Sequence, residues 1–146
     1  MTDQDLVRFV EAQSPVWRQV GDELAGGRKR SHWMWFVFPQ LVGLGHSAMA
    51  QHYAIRDLEQ ARRYLDDPIL GERLRRNVQL ALGHKDKSAM EIFGSPDDLK
   101  FHSSLTLFHA AASIQSDLSL FAEALDRFCH GKPDARTVEL LRLSSG

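Results

Sequence analysis

The chain of 146 residues has one cysteine, a formal charge of only −1, and no apolar run that approaches a membrane span. With Cys129 alone no intrachain disulfide forms, which fits a reducing compartment. A spanning helix needs roughly 20 apolar residues, so no membrane is expected as a partner. The near-zero charge removes the bulk electrostatic reason to expect nucleic acid. Met1-Thr2-Asp3-Gln4-Asp5 lacks the basic and apolar regions of a signal peptide, and a cytoplasmic location is expected. Several motifs are also missing: a Walker loop, a dinucleotide fingerprint behind a strand, and a Gly-x-Ser-x-Gly elbow. The seven histidines, 32, 46, 52, 84, 102, 109 and 130, include no His-x3-His pair, and Cys129-His130 beside a glycine reads as a helix end. Neither a metal nor a cofactor is expected.

No repeat, low-complexity tract or linker divides the chain, so residues 1–146 read as one domain. At 43% hydrophobic and 25% charged residues, its composition is that of a folded globular protein. Helix starts recur along it. Asp3 to Gln13 carries Leu6, Phe9 and Val10 on one face, with Thr2 as a cap. Ser14-Pro15 restarts the chain, and Val16, Val20 and Leu24 follow until Gly26-Gly27. Ser31, Ser47, Asp57, Asp67-Pro68, Ser95-Pro96, Ser116 and Asp134 are further caps, and Ser88-x-x-Glu91 is a capping box. Leu70, Leu74, Val78 and Leu82 form one apolar stripe; Leu118, Phe121, Leu125 and Phe128 form another. Without convincing strand alternation, the expected fold is all-α: a single compact domain of about seven or eight short helices.

One stretch dominates the rest: Arg28-Lys29-Arg30-Ser31-His32-Trp33-Met34-Trp35-Phe36-Val37-Phe38-Pro39-Gln40, closed by Gly43-Leu44-Gly45-x-Ser47. Two of the three tryptophans lie here, and large aromatics carry the most burial per residue. Residues 33–38 have no polar face, which suits either a short buried helix or a buried strand. The stretch also holds more polar chemistry than a core needs.

This stretch resembles the hallmark of a bacterial family of unknown function, numbered eighteen-ten in domain catalogues and sometimes labelled calpastatin. The similarity continues through Tyr53-Ala54-Ile55, Leu70-Gly71-x-Arg73-Leu74, Glu91-Ile92-Phe93-Gly94, Asp97-Asp98-Leu99-Lys100 and Ser103-Ser104-Leu105-Thr106. It implies a mainly helical single domain and supplies no activity. The calpastatin label has no support here, because calpastatin's inhibitory segments are disordered and poor in aromatics.

Arg28, Lys29 and Arg30 ahead of a Ser31 cap would set cations beside helix N–H groups, a geometry suited to phosphate. The plain alternative is a solvated basic turn. His32 fits a general base or a phosphate donor, and equally a packed histidine at a helix start. Asp98, His102 and Thr106, at i, i+4 and i+8, would align an acid, an imidazole and a hydroxyl on a helix; Asp97 reads as part of the helix start.

The expected function is that of a helical enzyme or ligand-binding protein with a pocket lined by the central stretch. Its ligand would be phosphorylated or nucleotide-like, such as an ADP-ribose or N-glycosidic compound. Arg28, Lys29, Arg30 and Arg73 would hold the anion, Trp35 or Tyr53 would stack, and His32 or Asp98 would handle a proton. Gln40, Gly43, Gly45, Ser47, Lys100 and Ser103 complete the candidate site. The competing reading is a non-catalytic interaction module, or a homo-oligomer, that uses the aromatic stretch.

Overall fold

The computed structural model describes residues 4–145, so the expected Thr2 cap and the Asp3 helix start lie outside the described residues. A 3-10 turn, Gln4–Leu6, leads into α1 (Val7–Gln13), and a second, Ser14–Val16, into α2 (Trp17–Ala25). Then come α3 (Met34–Val37), α4 (Ala48–His52), α5 (Leu58–Asp66), α6 (Leu70–Leu82) and α7 (Ala89–Phe93). The chain ends in α8 (Asp97–Ala111), α9 (Gln115–Cys129) and α10 (Ala135–Ser145). The domain is all-α. Its one extended feature among the described residues is an isolated parallel bridge between Leu41 and Ile55.

Local chemistry explains most helix starts. Asp57 accepts from the Gln60 amide at 2.8 Å, Ser47 from Ala50 at 3.1 Å, and Asp67 from Ile69 and Leu70 at 2.9 Å each. Ser88 and Glu91 form the full reciprocal box. Asp134 accepts from the Thr137 amide at 3.1 Å. Four expected caps differ, Ser95 among them, since α8 starts behind Pro96 with no side-chain capping hydrogen bond. The backbone at Ser14 stays helical, so its hydroxyl donates back to Val10 O at 2.8 Å instead of capping α2. Ser116 falls inside the first turn of α9, behind Ile114. Ser31 starts no helix, because α3 begins only at Met34, behind Trp33.

The centre of the molecule is α8, buried on nearly every side from Phe101 to Phe108 and packed against α5, α7, α9 and α10. Around it runs a chain of rings: Phe101 meets Phe38 at 5.0 Å, Phe93 at 4.4 Å and Phe128 at 5.5 Å, and Phe108 meets Tyr64 at 5.1 Å. Residues 34–37 resolve the helix-or-strand question as one helical turn, which Pro39 prevents from continuing. Met34, Phe36 and Val37 are buried there, as are the flanking Trp33 and Phe38. Arg75 pairs with Asp117 at 2.6 Å and ties α6 to α9.

Candidate functional site

The candidate site begins where α2 ends. Gly27 has φ +77, a conformation that favours glycine, and a Cβ on it would also crowd Lys87 Nζ at 2.9 Å and the His84 ring at 3.0 Å. Glu23, in the last turns of α2, points back into the loop that follows. One of its oxygens accepts from Arg30 N at 2.7 Å, Ser31 N at 3.1 Å and the Trp33 indole at 2.9 Å. The other accepts from the Ser31 hydroxyl at 2.6 Å. Partial burial pushes the Glu23 carboxyl up, but the Ser31 hydroxyl, the Arg30 amide, the Trp33 indole and the Ser31 amide outweigh it and hold the group at about 2. Residues 30–33 therefore do form a nest of donors for an anion, and its occupant is the chain's own carboxylate. No helix N-terminus stands behind the basic triplet, which corrects the Ser31-capped geometry.

The three basic side chains then diverge. Lys29 is 8% exposed, lies 2.8 Å from Asp97 and sits 5.2 Å from the Trp33 ring centroid. Lys100 meets the same Asp97 at 3.4 Å and sits 5.4 Å from the half-buried Trp35 ring. The structure thus brings Lys29, Lys100 and Trp35 together around Asp97, which the sequence reading treated only as a helix start. Arg28, Arg30 and His32 are exposed.

The other candidates lie elsewhere and have internal partners. Arg73 donates to Gln13 and Ser14 at 3.3 Å each and lies 5.0 Å from the Trp17 ring. Gln13, absent from the sequence-based set, donates to Phe36 O at 2.7 Å and to the Tyr64 hydroxyl at 3.0 Å. Burial pushes the Tyr64 hydroxyl well above its usual pKa. Tyr53 packs on Phe36 at 5.3 Å and on His52 at 4.6 Å. Ser47 caps α4. Gly45 admits α4, since a Cβ there would lie 2.5 Å from Ala50 Cβ, and the Gln40 side-chain oxygen is 4.0 Å from the same point. At Gly43, with φ +100, a Cβ would lie 3.5 Å from Leu140 of α10, ordinary contact, so the positive φ is what favours glycine there.

Asp98, His102 and Thr106 do share the α8 helix, but they form no proton relay. His102 Nε2 donates to Lys132 O at 2.7 Å. The Thr106 hydroxyl donates to His102 O at 2.9 Å and accepts from Asp134 N at 2.8 Å. Ser103 donates to Asp134 at 3.2 Å. These groups anchor the entrance to α10, while Asp98 Oδ1 is buried without a hydrogen-bond partner. Burial, with Asp134 second, pushes the Cys129 thiol up to about 11, which keeps it out of thiolate chemistry at neutral pH. Among the described residues no group of three potential metal-ligating side chains occurs, and no helix is long and apolar enough to cross a membrane.

Comparison with known proteins gives the same outline. The family model described as "Protein of unknown function (DUF1810)" matches residues 3–141. The crystal structure of a conserved hypothetical protein from Mycobacterium tuberculosis is similar with a TM-score of 0.91 and 50% sequence identity, covering 94% of this chain and 96% of that one. No curated protein matches.

Proposed function

The chain belongs to this family of unknown function, and from that premise we propose that it binds a phosphorylated, nucleotide-like ligand at the edge formed by Arg28, Arg30, His32, Trp35 and Lys100. One observation supports the reading above others: Glu23 rigidifies residues 30–33 from inside, so the exposed cations stand on a preorganised loop. Preorganised cations lose less entropy on meeting an anion. Lys29 and Asp97 join that loop to Lys100 and the Trp35 ring. A phosphate would meet Arg28 and Arg30, and the base or sugar would lie against Trp35. In an enzymatic version of this function, His32 is the exposed imidazole on that edge and would serve as the general base.

The second reading, a non-catalytic interaction surface, draws on Leu99. That side chain is 61% exposed beside Lys100, and an apolar residue at a charged aromatic edge suits a protein partner.

Titrating the folded protein with ADP-ribose, AMP and inorganic phosphate by calorimetry tests the first reading. Saturable binding that disappears in Arg28→Ala with Arg30→Ala supports it. No binding to the wild type, or equal binding to the double variant, overturns it and leaves the interaction surface.

A further inference from the structure

A cleft of about 670 Å³ opens between the C-terminal end of α6 and the face of α9, away from every residue discussed as a candidate above. That volume is within the range of roughly 300–1,000 Å³ typical of small-molecule sites. Its floor is apolar, from the half-buried Leu82 and Leu120 and the backbone of Gly83. Its polar groups include Lys85, Glu123 and Arg127. A second cleft of about 310 Å³ shares Lys85 and Arg127 and continues past Phe128 and His130.

Arg127 is the unusual member. It is half-buried, with its guanidinium carbon 4.8 Å from the Phe128 ring centroid. Its Nη2 faces three carbonyl oxygens, those of His84 at 2.7 Å, Lys85 at 2.5 Å and Lys87 at 2.7 Å. Among the described residues no carboxylate pairs with it, and its Nε and Nη1 hydrogens have no hydrogen-bond partner. Carbonyl dipoles solvate a cation but do not neutralise it, and the unused Nε and Nη1 hydrogens of a partly buried guanidinium can each donate a single charge-assisted hydrogen bond to a carboxylate. Glu123 stands one turn earlier on α9, within a helical i, i+4 spacing, yet forms no ion pair with Arg127. Two cations against one carboxylate leave a single net positive charge on the lining. That balance suits a monoanion better than a dianionic phosphate.

We infer that this cleft is a binding site for a small organic carboxylate with an apolar body, the body lying on Leu82 and Leu120 and the carboxylate meeting Arg127 and Lys85. The site is separate from the edge at Arg28 and Arg30, although Lys87 of the same turn donates to Gly27 O at 3.0 Å.

The test titrates the full chain with sodium octanoate, and with octylammonium as a cation of the same tail, while backbone amide shifts are followed by NMR. The expected result is saturable movement of the Gly83, Leu120 and Arg127 amides with octanoate, at a Kd on the order of 1 mM for so small a probe. Octylammonium should leave them in place. Lys85→Glu should weaken octanoate binding by about fivefold and Glu123→Gln should tighten it by about twofold, both at exposed positions that the fold tolerates. The inference is overturned by the absence of saturable shifts at these amides, by equal response to octylammonium, or by affinity that neither substitution changes.

Discussion

The loop at 28–33 closes around the Glu23 carboxylate, whereas the turn at 84–87 closes around the Arg127 guanidinium. In each case a charged side chain on a helix gathers the backbone of a neighbouring connection, with donors collected by the anion and carbonyls by the cation. Glu23 uses both oxygens and meets four donors, so its capacity is nearly filled. Arg127 uses one nitrogen of three and keeps the rest free on an open cleft. The first loop is a closed piece of structure whose remaining cations face outward. The second is a structural device with spare binding capacity. Counting satisfied against unsatisfied hydrogen-bonding groups separates the two where counting charges does not.

The largest effect should come from the donor that the first loop buries most deeply. Trp33→Ala should destabilise by about 3–5 kcal/mol in denaturant unfolding, because it empties a fully buried site and removes a Glu23 partner. Trp35→Ala, at a half-buried ring, should cost about 1–2 kcal/mol. Equal costs would mean that the two rings are not divided between core and edge.

Next comes the carboxylate itself. Glu23→Gln keeps one acceptor and loses the charge, and should cost about 2–3 kcal/mol at neutral pH. The folded group titrates at about 2, below its ordinary 4.5, so its contribution is complete above pH 4.5 and fades as pH falls toward 2. The stability gap between wild type and Glu23→Gln should therefore narrow over that window. A gap independent of pH would show that the nest does not discriminate the charged form.

For the second loop, Arg127→Met preserves much of the stem and removes the carbonyl bonds. The expected loss is about 1–3 kcal/mol, with faster amide exchange in residues 84–88. A smaller loss than for Glu23→Gln is part of the comparison, since turn carbonyls reached by water recover part of what they lose. A larger one would make Arg127 the main closure of the fold and reverse the contrast.

The legible parts of the fold were those whose chemistry is short-range. Asp57, Ser88 with Glu91, and Asp134 each act within three residues, and the stripes on α6 and α9 repeat at helical spacing. The all-α class and the central role of residues 33–38 follow from the same signals. The illegible parts depend on long reach. Gln13 meets Tyr64, Arg127 meets the 84–87 turn, and Lys29 meets Asp97, all between residues far apart in sequence. Ser31 is the instructive case: a hydroxyl after a basic triplet suits a helix cap, but its proton goes to Glu23 and its oxygen accepts from the Gln19 side-chain amide at 2.9 Å, both on the preceding helix. Gly45 gains its structural reason only from Ala50 of α4, which a Cβ there would strike at 2.5 Å, and Gly43 only from its positive φ of 100.

The smallest stability effect is expected where the proposed function is strongest. Arg28→Ala with Arg30→Ala removes two exposed side chains, while the Arg30 amide that Glu23 needs belongs to the backbone and remains. The fold should lose no more than about 0.5 kcal/mol, as is usual for surface charges. Stabilisation by ADP-ribose or phosphate, read as a shift in thermal melting, should vanish in the same variant. The two readouts need each other. A variant that melts early would place the arginines in the closure of the loop alongside Glu23, and the distinction between inward anion and outward cations would fail. A variant as stable as the wild type that still responds to phosphate would keep the loop as described and move the phosphate ligand away from the Arg28 and Arg30 edge.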